Sequence, residues 1–421
     1  MWNTLKHFPR TTAVLESLAS GAPAVHTRPR NQRGEVVRPP SLTIAPPTQK
    51  YFFRACFMLE FRFRDAFAGW SAGACVPSTT KTIVSGDAMY RETEYLSSLR
   101  EQGLDEKAIR DSFLAIAGLE SSLTARGLSL EEPELAAVEA WALEHLAKGA
   151  SIHDFLVPAA RYFAAAKNGM VAIRLMAYLF PIGVLPTMAD RLANIEGEVV
   201  RSRVMDGVTV PAEGSQPEAY PAVTARFVEA LKAEVGPDKA KRVLSWNVHG
   251  IPAAAFALDK KRFLELGSID EWLSDYHRRK VEILRRHAED GTLWFEQKIT
   301  MAVVDFVEER PEILGGVRKG DTIYITKIPY DPDRYLRATD KLERRRLACH
   351  CPLASASITE KGAGVPPLWC ACSAGYVKFL FDVVFEKETE AVVLDSVLSG
   401  GELCRFAVRI PSADHLAELP I

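Results

Sequence analysis

No Walker loop, H-E-x-x-H pair, dinucleotide fingerprint or Ser/His/Asp pattern occurs in these 421 residues. The chain therefore lacks the usual sequence marks of nucleotide-driven, zincin, Rossmann or triad-hydrolase chemistry. Net charge is nearly absent too: 52 Lys and Arg stand against 54 Asp and Glu, leaving −2. A surface built around phosphate contacts needs a basic excess, and base stacking needs interleaved aromatics. Neither is present, so no nucleic-acid partner is expected. The N-terminal stretch "MWNTLKHFPRTTAVLESLASGAPAV" lacks the continuous apolar run of a secretory signal. The longest apolar run, "MVAIRLMAYLFPIGVLPTM" at 170–188, is interrupted by Arg174 and Pro181, with Pro186 close behind. That pattern fits a buried core helix better than a membrane span. The expectation is a cytoplasmic protein without a membrane partner.

An ordinary globular balance is what the chain does have, with 48% hydrophobic and 25% charged residues. Its length predicts two or three domains. Residues 1–88 begin with a Pro-, Arg- and Thr-rich segment whose "RPRNQRGEVVRPP" cannot bury apolar area. They are read as a disordered or non-native leader, with translation starting at or near Met89. Residues 89–206 have the Ala/Leu/Glu composition and three- and four-residue apolar spacing of helices. His145 and His153 in that stretch are read as packed or capping residues. The Pro- and Gly-rich "GVTVPAEGSQPEAYP" marks a linker over 207–218, and 219–421 forms the remaining unit.

Within that unit, 221–235 and 238–247 predict two helices. "GSIDEWLSDYHRRKVEILRRHAEDG" predicts a third, capped by Ser268 and Glu271 and ended by Gly291. Its buried stripe is Ile269, Trp272, Leu273, Tyr276, Ile283 and Leu284, which His287 continues. After Trp294 the pattern turns mixed. A strand is expected at 321–328 and a helix at 373–385 opened by Ser373. A β-hairpin should then join "TEAVVLDSVL" to "LCRFAVRI" through Gly400 and Gly401. In the last strand Cys404, Phe406, Val408 and Ile410 share one face. The predicted fold class is α+β, with a mostly helical N-terminal region and a C-terminal antiparallel sheet packed with helices.

Cysteine is scarce, seven in all, yet five of the seven fall between 349 and 404. Two C-x-C pairs, Cys349/Cys351 and Cys370/Cys372, precede Cys404. Four thiolates can enclose zinc or hold an iron–sulfur cluster, although C-x-C is not the usual C-x2-C knuckle. Three readings stay open. One is a zinc site drawn from Cys349, Cys351, Cys370, Cys372 and Cys404. The second is a reactive thiol beside His350, and the third is a set of small core residues. Cys56 and Cys75 receive no role. Asp331 and Asp333 read as an Asp-Pro turn, "GVRKGD" as a turn between elements, and His249 as a loop residue able to line a pocket.

The stretch "WCACSAGYVKFLFDVVFEKETEAVVLDSVLSGGELCRFAVRIP" resembles the 4-vinyl-reductase type of small-molecule-binding domain. The matching residues are Cys370, Gly375, Tyr376 and the pair Cys404-Arg405. Adding "GVRKGDTIYITKIPYDPDRY" and "ACHCPLASASI", residues 220–411 resemble bacterial proteins grouped near the L-2-amino-thiazoline-4-carboxylic acid hydrolase-like family. The first resemblance implies helices on an antiparallel sheet around an apolar pocket, and zinc held through Cys370 and Cys404. The hairpin positions that would add a thiol and an acidic ligand fall near Ser396 and Val393, which cannot serve. The second implies opening of a small sulfur-containing ring. The expected function is therefore binding of a small organic molecule, with Tyr376, Phe379, Phe381 and His249 building the pocket and zinc as cofactor. The alternative is a hydrolase of a small cyclic or amide substrate. A homodimer is compatible with either.

Overall fold

Apolar residues at three- and four-residue intervals wind the chain from Glu92 to Leu244 into helices, three of which open on a short polar side chain that caps them. A computed structural model describes residues 89–412 and His415, all within the unit Pro47–Ile421. The readings made for 1–88, including Cys56 and Cys75, lie outside the described residues. The helices α1 (Glu92–Glu101), α2 (Glu106–Thr124), α3 (Leu135–Ala147), α4 (Ile152–Ala165) and α5 (Gly169–Leu179) come first. Asp105 caps α2 by accepting from the Ala108 amide at 2.8 Å, and Ser151 and Asn168 cap α4 and α5. These helices share one apolar core, Met89 to Ile182, in which Tyr95, Tyr162 and Phe163 are fully enclosed.

The apolar run at 170–188 is two helices. Pro181 and a left-handed Gly183 (φ 73°) separate α5 from α6 (Val184–Glu196). By length and hydropathy Gly169–Glu196 and Pro367–Val384 could each cross a membrane, but 61% and 56% of their apolar windows are buried inside the fold. Packing changes partner at this break. With α7 (Glu198–Met205), α8 (Tyr220–Val235) and α9 (Pro237–Leu244), α6 joins the core that contains the cysteine-bearing segments. The apolar clusters thus divide between Ile182 and Val184, ahead of the 207–218 segment.

The remainder is α+β. Next come α10 (Ala257–Leu266), α11 (Ile269–Glu289), the two-residue strands β1 (Leu293–Trp294) and β2 (Gln297–Lys298), and α12 (Met301–Glu308). They are followed by β3 (Val317–Lys319), β4 (Thr322–Thr326), α13 (Pro332–Arg337) and α14 (Lys341–Ala348). Then come β5 (Ile358–Thr359), β6 (Gly362–Ala363), α15 (Ala371–Val384), β7 (Glu390–Asp395) and β8 (Arg405–Arg409). A four-stranded antiparallel sheet runs β3-β4-β8-β7, with Ile323 opposite Val408 and Val393 opposite Phe406. The predicted β7/β8 hairpin is present, with a bulge between Val393 and Asp395. Its connection folds as a 3-10 turn, Val397–Ser399, held by reciprocal bonds between Ser396 and Ser399.

Ser268 caps α11 as expected. Its inward stripe carries Val281 where Ile283 was expected, because the helix buries Trp272, Leu273, Tyr276, Val281 and Leu284. β4 is shorter than predicted. Past Thr326 the Lys327 amide pairs with the Cys404 carbonyl, and the chain then leaves the sheet toward Pro329. Ser373 does not open α15. A proline-started 3-10 turn, Pro367–Cys370, leads straight into it, so Cys372 sits in the first helical turn.

Candidate functional site

A partly open cavity of about 270 Å3 lies where the two C-x-C segments, the end of β4 and the start of α15 meet. That is close to the ~300 Å3 lower end of small-molecule sites, room for a compact molecule. Its wall holds all five described cysteines, His249, His350, Lys327, Glu296 and Tyr376, among apolar and aromatic residues such as Phe180, Trp294, Ile325 and Trp369.

Each side chain is delivered by identifiable local structure. The Asn247 side chain both donates to and accepts from Ile251, at 2.8 and 3.0 Å, closing the turn that carries His249. Trp246 in the same segment lies under the Arg191 guanidinium, 3.9 Å from ring centre. His249 meets the edge of Tyr376 with ring centres 6.1 Å apart. Tyr376 is 40% exposed, so it marks the rim of the cavity rather than its floor. His350 donates through Nε2 to the Ile328 carbonyl at 2.6 Å and packs against Tyr330. Two non-glycine residues of the wall, Phe295 (φ 56°) and Leu314 (φ 58°), have left-handed backbone. Such conformations cost about 1–3 kcal/mol each and concentrate at functional sites.

Burial dictates the electrostatics. Desolvation pushes the Cys370 thiol up to about 12, an effect that Cys404 reinforces and Ser396 opposes. It raises Cys349, Cys351, Cys372 and Cys404 as well. Desolvation lowers His249 to about 4 and His350 well below the usual imidazole range, with Lys327 adding to both effects. Burial raises Glu296, with Tyr330 opposing. Lys327 is lowered by the same desolvation although part of its side chain faces the cavity space. The cavity therefore favours neutral groups throughout.

The five described thiols share this cavity. Among the described residues no three His, Cys, Asp or Glu side chains are grouped so that they could hold an ion. Cys351 Sγ accepts from Trp369 Nε1 at 3.2 Å, and the Cys349 thiol points at the Cys351 carbonyl, 4.0 Å away. Lys327, a cation when protonated, acts electrostatically on Cys404, Cys349, Cys351 and Cys372. Ser396 does lie beside Cys370, where the resemblance would put a thiol, but it presents a hydroxyl. The Asp395 carboxylate accepts from the Ser396 amide at 2.8 Å and the Ser399 hydroxyl at 3.2 Å.

Of the expected pocket residues, His249 and Tyr376 line the cavity. Phe379 and Phe381 do not. They fall on the faces of α15 turned toward α10 and α11, where Phe379 meets Phe256 at 5.9 Å and Phe381 meets Trp272 at 5.9 Å. Asp331 caps α13, as the Asp-Pro turn required. Sequence reasoning missed Lys327 and the β1–β2 turn with Phe295 and Glu296. Lys327 breaks an otherwise apolar strand pattern, and that was the available signal. Comparison with protein-family models, curated proteins and solved structures finds no match to this chain.

The thiols should behave as buried, protonated groups. At pH 8, Cys370 in the native chain should react with a disulfide reagent about a thousandfold more slowly than in denaturant, since only the thiolate attacks. Peptide mapping of the labelled cysteine checks this. Native labelling at the denatured rate would show an open, ionised thiol instead.

Proposed function

We propose that this chain binds a compact, largely apolar organic molecule in the cysteine- and histidine-lined cavity. The observation that carries the reading is the meeting of an apolar wall and a few convergent polar groups around one space of about 270 Å3. The two elements that carried the resemblance to the 4-vinyl-reductase type of domain, the Gly-Tyr helix and the segment reaching Cys404, both contribute to that wall. This agreement supports a small-molecule-binding domain of that type. For hydrolysis a nucleophile or activated water would be needed. The thiols are held protonated, and the residues as placed do not group to hold an ion. Binding is therefore the better-supported of the two expected functions.

Val377 sits on α15 with its side chain at the cavity. Val377→Trp fills the space without touching the sheet register. A panel of small aromatic alcohols and hydrocarbons, screened by ligand-observed NMR, should yield binders to the native chain, and these should lose at least about tenfold in affinity for Val377→Trp, about 1.4 kcal/mol. Equal binding to both proteins, with circular dichroism showing both folded, would place the binding elsewhere and sink the reading. Exhaustive chelation run alongside separates a metal-free cavity from one whose thiols gather an ion: loss of binding on chelation would restore the zinc site.

A further inference from the structure

Five sulfur nucleophiles surround this cavity, yet its most available nucleophile is nitrogen. Lys327 follows β4, and its amide is pinned to the Cys404 carbonyl at 2.9 Å. Its side chain lines the cavity. Nζ lies over the Tyr376 ring, 5.1 Å from the centroid. No described carboxylate forms an ion pair with it, whereas the buried Lys378 is held by Asp382 at 2.5 Å. His249 and His350 stand close enough to feel the charge of Lys327.

We propose that Lys327 Nζ captures a small aldehyde or ketone in this cavity as an imine. The inference rests on the cavity being a small-molecule site. Nζ adds its lone pair to the carbonyl carbon, the C=O π pair moves to oxygen, and a proton shifts from nitrogen to that oxygen. The resulting carbinolamine loses its hydroxyl, with one more proton, as water, and the C=N bond forms. Hydrolysis reverses both steps, so no oxidant or reductant is consumed. His249 and His350 line the same cavity as Lys327.

The environment explains why nitrogen outcompetes sulfur. Desolvation favours the neutral form of every group. A neutral thiol is a poor nucleophile, whereas a neutral amine is the reactive form. One cause therefore silences the cysteines and readies the lysine. Ionised thiols would stabilise the ammonium, but burial keeps them protonated. The Tyr376 face offsets part of the effect by attracting the cation.

The full chain is incubated at pH 7 with benzaldehyde and cyanoborohydride, which converts an imine to a stable benzylamine, and labelled lysines are mapped by mass spectrometry. Lys327 should label at least about tenfold faster than the exposed lysines, which are almost fully protonated at that pH. Lys327→Arg keeps the charge and Lys327→Met keeps the length, and both should lose the fast label. Labelling of Lys327 at the rate of surface lysines overturns the proposal. Non-covalent binding of benzyl alcohol is measured in parallel. Binding without fast labelling refutes only the imine, while absence of both refutes the binding site as well.

Discussion

Trp272→Ala should lower the unfolding free energy by about 3–5 kcal/mol, the usual cost of deleting a large aromatic from a packed core. Trp272 is fully buried where α11 meets α10, α15 and the sheet. Its ring contacts Phe263, Phe381 and Phe385 with centroids 5.7, 5.9 and 6.4 Å away, each at a steep angle. Nε1 donates to the Asp259 carbonyl at 3.0 Å, so truncation also removes that buried bond. Trp272→Phe separates the contributions. It keeps most of the packing, loses the bond, and should cost about 1–2 kcal/mol. Chemical denaturation followed by circular dichroism measures both. A loss under about 1 kcal/mol for the alanine variant would mean that this cluster is not the rigid centre of the α+β layer. Neither variant touches the cavity wall, so ligand binding under native conditions should survive.

Phe381 shows what the sequence could and could not convey. Its inward position on α15 was legible, because Leu380, Phe381 and Val384 recur at helical spacing and are buried. Which inward surface it met was not legible, because a helix packed on two sides has two buried faces and periodicity does not name the partner. The α15 face bearing Cys372 and Tyr376 looks into the cavity, the face bearing Leu380, Phe381 and Val384 looks into the Trp272 cluster, and Val377 touches both. Local signals fared better. The Ser268 cap, the Asp331-Pro turn and the β7/β8 hairpin each depend on a few adjacent residues, and each formed. The cysteines were recognisable as a group, since their spacing brings them near one another. Lys327 and Trp369 stand beside them in the same wall. Lys327 arrives from β4 and the indole from the turn before α15, two segments whose meeting no spacing rule encodes.

Gly375 gives the test that joins fold to site. It sits in the second turn of α15, where the helix presses on the chain at Ser245–Trp246. A Cβ there would fall 2.1 Å from the Trp246 amide nitrogen, 2.5 Å from its carbonyl oxygen and 2.6 Å from the Ser245 carbonyl carbon. All three are backbone atoms, so no rotamer change can relieve the clash. Gly375→Ala should therefore destabilise by about 3 kcal/mol, at the upper end of overpacking costs, even though alanine is the better helix former by about 1 kcal/mol. The companion is Gly118→Ala in the middle of α2, where nothing lies within 4 Å of the added carbon. There propensity acts alone, and the same substitution should stabilise by up to about 1 kcal/mol. The opposite signs follow from one fact about each site, and thermal or chemical unfolding of the two variants reads them directly. A second consequence belongs to Gly375 alone. The segment it presses carries Trp246 and leads to His249, so any relief of the clash moves that wall of the cavity. Gly375→Ala should weaken probe binding even at temperatures where it remains folded, while Gly118→Ala leaves binding unchanged. Equal stability of the two variants would mean that α15 and the 245–246 backbone are not in contact, and the His249 wall would then need another anchor.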